Sequence, residues 1–84
     1  MTVDDVKLQV RNYIAQQFLA GEDPASLTDQ VKLVSDGIID SLGSLKLVSW
    51  LEERFDVAIE AHEVDAEHLD SVSSIAALVT GKQG

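Results

Sequence analysis

The stretch SDGIIDSLGSLKLVSWLEERF, residues 35–55, decides the fold. In its second half Leu45, Val48, Leu51 and Phe55 recur at three- and four-residue steps and Leu47 widens the stripe, the spacing of a helix laid against a core. A helix is therefore expected from Ser41 to about Phe55. Asp40 and Ser41 stand at its start, and either side chain can accept a hydrogen bond from a backbone N–H that lacks an intrahelical partner. Asp40 alone is a competent cap, so Ser41 is not needed in that role. Its hydroxyl can then face solvent on the first helical turn, where free N–H groups and the positive end of the helix dipole tolerate a phosphate.

Towards the N-terminus, Thr2 and Asp5 form a capping-box pattern, and Val6, Val10, Ile14 and Phe18 follow at four-residue steps. They predict a first helix from Val3 to Leu19, ended by Gly21 and Pro24. About twenty residues then lack strong periodicity, a long connection for a compact domain. Leu27, Val31, Leu33, Val34, Ile38 and Ile39 make it a loop pinned to the core, with room for a short helical turn. Towards the C-terminus, a short third helix is expected around Val64 to Leu69. Asp70 and Ser71 offer caps for a last helix whose Val72, Ile75 and Val79 face inward and which Gly81 ends. Hairpin dipeptides and sustained two-residue alternation are missing. The expected fold is all-α: a bundle of three main helices and one short one, a single domain over residues 1–84.

Composition narrows the function. Eighty-four residues suffice for one modest core, and 45% hydrophobic with 25% charged residues is a globular composition. Six basic residues against fifteen acidic ones give a net charge of −9, which disfavours a nucleic-acid partner and favours basic protein surfaces. Residues 36–70 hold ten acids and two bases, so −8 of that charge lies from the approach to Ser41 through the third helix. With no cysteine, any thiol chemistry must come from a cofactor. The acidic start MTVDDVKLQV is unlike a signal peptide and no apolar run reaches spanning length, so a cytoplasmic protein without membrane insertion is expected. His62 and His68, with Glu63, Asp65 and Glu67 nearby, read as solvated side chains, since six residues do not bring two histidines to one helical face. Trp50, between core positions, reads as partly buried.

The segment DGIIDSLGSLKLVSWLEERFDVAI resembles the phosphopantetheine attachment segment of the acyl carrier protein family. The likeness extends over the whole chain, through Gly37, Asp40-Ser41-Leu42, Leu45, Leu51-Glu52, Phe55, Val57 and Ile75. It implies an acyl-carrier-type four-helix bundle whose second helix opens at the modified serine. It also implies that a phosphopantetheinyl transferase moves 4′-phosphopantetheine from coenzyme A onto Ser41, and that Asp40 meets the transferase's basic residues or its magnesium ion. The chain is then a carrier and not an enzyme; no Gly-x-Ser-x-Gly elbow surrounds Ser41 and no triad positions the histidines. No metal site is expected.

Leu42, Lys46, Ser49, Glu52 and Glu53 are expected on or near one outward strip that docks partners, with Leu45, Val48, Leu51 and Phe55 turned inward. Lys46 departs from fatty-acid carriers, many of which have an acid there. Gly43 after the Asp-Ser-Leu triplet and the spacing from Phe55 to Ile75 are similar to the D-alanyl and other stand-alone aminoacyl carriers. The resemblance therefore implies a monomeric carrier of an acyl or aminoacyl group, loaded by an ATP-dependent ligase and unloaded by downstream transferring enzymes. A fatty-acid carrier and an unmodified acidic helical adaptor are the alternatives.

Overall fold

A computed structural model describes residues 2–19, 23 and 27–83. Its helices are α1 (Val3–Phe18), α2 (Ser41–Phe55), α3 (Ala66–Leu69) and α4 (Val72–Gln83), with a 3₁₀ turn at Ala61–Glu63 before α3. Among the described residues there is no strand. The all-α bundle of three main helices and a short one is the architecture read from the sequence.

Each helix starts for a local reason. At α1 the Thr2 hydroxyl accepts from the Asp5 amide (3.2 Å) and the Asp5 carboxylate accepts from the Thr2 amide (3.3 Å), the reciprocal box expected from the sequence. Asp65 caps α3 by accepting from the His68 amide at 2.9 Å. At α4 the Ser71 hydroxyl accepts from the Ser74 amide at 3.0 Å. Asp70, the other expected cap, instead turns its carboxylate to the long loop.

Three ends differ from the sequence reading. Helix α1 stops at Phe18, with Leu19 as its C-cap; Gly21 and Pro24, expected as its terminators, lie outside the described residues. Helix α3 is shorter than Val64–Leu69, because the Asp65 cap sets its start. Helix α4 runs through Gly81 to Gln83, and the Lys82 ammonium, 2.6 Å from the Glu63 carboxylate, ties that last turn to the 3₁₀ segment.

The core is one cluster. Val6, Val10 and Ile14 of α1 meet Leu47, Val48, Leu51 and Phe55 of α2, Leu69 of α3, and Val72, Ile75, Ala76 and Val79 of α4. Leu27, Leu33 and Ile39 from the loop are buried in the same cluster, as a pinned loop requires. Polar anchors complete it. Asp29 pairs with Lys7 and Arg11, and the Lys7 hydrogen bond holds its carboxyl below the usual carboxylate range. The Ser73 amide donates to the Asp29 carbonyl at 3.3 Å, so α1 and α4 grip the loop from two sides.

The aromatic residues form one train between α1 and α2. Tyr13 stacks on Trp50 (centroids 4.2 Å apart, planes 13° apart), Trp50 meets Phe55 edge to face at 5.6 Å, and Phe18 meets Tyr13 edge to face at 6.3 Å. Trp50 is half-buried, as read from the sequence.

Candidate functional site

Ser41 is the first residue of α2, and the chain before it is tightly held. Gly37 takes a positive φ of 79°, a turn that a side chain would strain. The Ile39 amide donates to the Leu33 carbonyl at 2.9 Å, and the Ile39 side chain is fully buried. Asp70 clasps the same turn: its carboxylate accepts from the Val34 amide (2.8 Å), the Ser35 amide (2.8 Å) and the Ser35 hydroxyl (2.7 Å). The Ser35 hydrogen bonds push the Asp70 carboxyl below its ordinary range. The residue that precedes the helix therefore has little freedom of position.

Asp40 is the cap of α2. Its backbone is extended (φ −89°, ψ −174°) and its Oδ1 accepts from the Gly43 amide at 2.7 Å. Ser41 is thus relieved of capping. It is exposed, and among the described residues its hydroxyl has no hydrogen-bond partner. An exposed, unengaged hydroxyl on the first turn, beside free N–H groups, fits covalent attachment of a phosphate-bearing group. An open cleft of about 580 Å³ adjoins it, and its lining includes Asp40, Ser41, Leu45, Val34, Val64 and Asp65.

The outward strip of α2 differs from the expected one at two positions. Leu42 is 74% exposed, in accord with its reading as an apolar surface residue beside the serine. Leu45, expected inward, is 59% exposed, and Leu47 takes the core place instead. Gly43, Leu47 and Leu51, four residues apart, form the buried ridge of α2, with Gly43 close to Phe18 of α1, and that rotation turns Leu45 out next to Leu42. Glu52, expected on the strip, is half-buried and its carboxylate accepts from the Ile59 amide at 3.0 Å, so it braces the chain after α2. Lys46, Ser49 and Glu53 are exposed. With Leu45, Tyr13 and Trp50 they line a second groove of about 460 Å³ between α1 and α2.

The histidines lie elsewhere. His62 is on the 3₁₀ turn, and the His68 ring is 2.8 Å from the Asp65 carboxylate. That hydrogen bond raises the His68 pKa and lowers that of Asp65. Sequence reasoning missed the exposure of Leu45, the cleft walls Val34, Val64 and Asp65, and the buried contact of Gly43. The signal for the last was present: a glycine four residues before Leu47 and eight before Leu51 continues their stripe.

Comparison with known proteins gives the family. The family model described as phosphopantetheine attachment site matches residues 9–79, a span that includes Ser41 and all of α2. The chain is 35% identical over 83 residues to D-alanyl carrier protein 1 of Lactiplantibacillus plantarum, covering 99% of this chain and 100% of that one. It is 33% identical over 84 residues to the acyl carrier protein of Akkermansia muciniphila, covering all of both. Among solved structures it is similar to KstB-PCP in its apo form, at 30% identity and a TM-score of 0.73, over 98% of this chain and 90% of that one. The helical architecture, the free serine at the mouth of α2 and the match across both lead to one conclusion: the chain belongs to the phosphopantetheine carrier proteins, whose 4′-phosphopantetheine is held covalently.

Proposed function

We propose that Ser41 is the attachment residue and that the chain holds an aminoacyl or short acyl group for a biosynthetic pathway. The observation that carries this reading is the division of labour at the start of α2: Asp40 satisfies the Gly43 amide, and the Ser41 hydroxyl stands exposed and unengaged. When attached, the 4′-phosphopantetheine group supplies the terminal thiol that this cysteine-free chain lacks. The chain's own residues present and orient. Asp40 offers a carboxylate beside the serine to a phosphopantetheinyl transferase, to its basic residues or its magnesium ion. Leu42 and Leu45 give partners an apolar ridge, and Lys46, Ser49 and Glu53 flank it with polar groups. Glu52 stands apart in a bracing role.

In this reading Ser41 is a point of attachment and not a hydrolytic nucleophile, and the chain works as a monomer in the cytoplasm, where coenzyme A and ATP are supplied. A discrete ATP-dependent ligase selects the cargo, and transferring enzymes remove it. The similarity to D-alanyl carrier protein 1, together with Lys46 and Gly43, supports an amino acid as cargo. The match to an acyl carrier protein at nearly the same identity supports a second reading, service in fatty-acid synthesis.

Intact mass after incubation with coenzyme A and a broad-specificity phosphopantetheinyl transferase tests attachment. Wild type should gain one arm and Ser41→Ala none. Arm addition to Ser41→Ala would move the site, and no addition to either would leave an acidic adaptor. Modified protein offered to candidate ligases and to a fatty-acid elongation system then separates the cargo readings: efficient growth of a long acyl chain without ligase loading would favour the second.

A further inference from the structure

We infer that Gly43 and Phe18 are positioning residues for the modification of Ser41, an inference that rests on the Ser41 assignment. Gly43 is buried, and a Cβ built on it would lie 2.6 Å from Phe18 Cε1, 3.3 Å from Phe18 Cζ and 3.0 Å from Asp40 Oδ1. Its backbone is ordinary helix and not the left-handed region, so conformational freedom is not what this position requires. Alanine is the better helix former, yet its methyl group enters only if the Phe18 ring or the Asp40 carboxylate shifts. What glycine provides is close approach of the first turn of α2 to the last turn of α1. The Phe18 ring is half-buried and backed by Tyr13, which in turn is stacked on Trp50. A methyl group at residue 43 therefore presses at once on the ring below it and on the Asp40 oxygen that holds its own amide. Ser41 lies between Asp40 and Gly43 and moves with that clasp.

Displacement of a reacting group by as little as about 1 Å can cost up to about a hundredfold in rate. Gly43→Ala should lower the kcat of arm addition about tenfold while the KM for coenzyme A, which the transferase binds, stays within about twofold. Phe18→Leu, which removes the ring edge, should restore the double variant to within about twofold of wild type. Amide hydrogen exchange gives a readout independent of activity: residues 43 and 44 should exchange faster in Gly43→Ala and recover in the double variant. Val79→Ala, a core truncation in α4, controls for stability, since it should lower the melting temperature without the kcat loss. If Gly43→Ala does not fold, refolding by Phe18→Leu supports the crowding and failure to refold overturns it. A wild-type rate in Gly43→Ala, or a loss that Phe18→Leu does not relieve, overturns this inference alone. Arm addition to Ser41→Ala overturns the Ser41 assignment and this inference with it.

Discussion

Asp40 combines two roles that substitution can separate. As the cap of α2 it accepts from the Gly43 amide, and as a carboxylate it places negative charge beside Ser41. Asparagine keeps the acceptor and loses the charge, whereas alanine loses both. Removing a cap costs about 1 kcal/mol, which lowers the melting temperature of a domain of this size by about 4–8 °C. Asp40→Ala should therefore melt lower and accept the arm slowly, and Asp40→Asn should melt close to wild type yet still accept it slowly. Thermal melts paired with transferase rates make the comparison; a wild-type rate for Asp40→Asn would reduce Asp40 to a cap. The sequence revealed this cap and the freedom of Ser41 because both follow from residue types at adjacent positions. It misassigned Leu45 because Leu45, Leu47 and Val48 all fit a helical stripe with Leu51 and Phe55, and spacing alone does not say which edge faces the core. In the fold Gly43 lies on the buried edge with Leu47 and Leu51, close to Phe18, and a glycine, which is not an apolar residue, is easily left out of the stripe it continues.

At the level of elements, the loop before α2 is part of the site, because it sets where the serine stands. Buried Leu33 and Ile39 were legible as core residues of a pinned loop. The polar clasp was not: Asp70 directly before a helix reads as its cap, and only the folded chain shows its carboxylate spent on Val34 and Ser35 while Ser71 caps α4. The extension of α4 through Gly81 was hidden for the same reason, since its Lys82–Glu63 pair joins residues nineteen positions apart. The clasp has a pH signature. Hydrogen bonds from Ser35 lower the Asp70 pKa in the folded state relative to the unfolded chain, where it is about 3.9. The folded state thus binds this proton less readily, so the stability it contributes is present above about pH 4 and is lost as pH falls through the lower folded value. Val34 and Ser35 amides should be protected at neutral pH, after correction for the intrinsic pH dependence of exchange, and should lose protection below about pH 4. Asp70→Asn should lose part of that protection at every pH. Unchanged protection of both amides in Asp70→Asn would show that buried Leu33 and Ile39 hold the turn without the clasp.

The whole molecule is shaped by its charge. Three of the six basic side chains are engaged inside the fold, Lys7 and Arg11 with Asp29 and Lys82 with Glu63; of the ten acids of residues 36–70, Glu52, Glu63 and Asp70 are half-buried and engaged, and the other seven are exposed with little compensation. A net charge of −9 within a radius of gyration of 11.5 Å repels itself, and it also draws in partners with basic surfaces. Salt acts on both effects with opposite sign. At about 0.1 M the Debye length is about 10 Å, comparable to the molecular radius, so screening between 0.02 and about 0.3 M should relieve the self-repulsion and raise the melting temperature. The same salt weakens the ion pairs of Asp29 and Glu63, but such partly exposed pairs add little to stability, and the summed repulsion should prevail. Over that range the association rate with the transferase should fall, because steering by opposite charge is screened. Glu53→Lys, on the exposed strip, should slow modification at low salt, flatten its salt dependence and leave the helix content unchanged. Melting curves and modification rates measured in one salt series decide the matter. A melting temperature that falls with salt would make the local pairs dominant over net repulsion, and rates indifferent to both salt and Glu53→Lys would place recognition on the apolar ridge of Leu42 and Leu45.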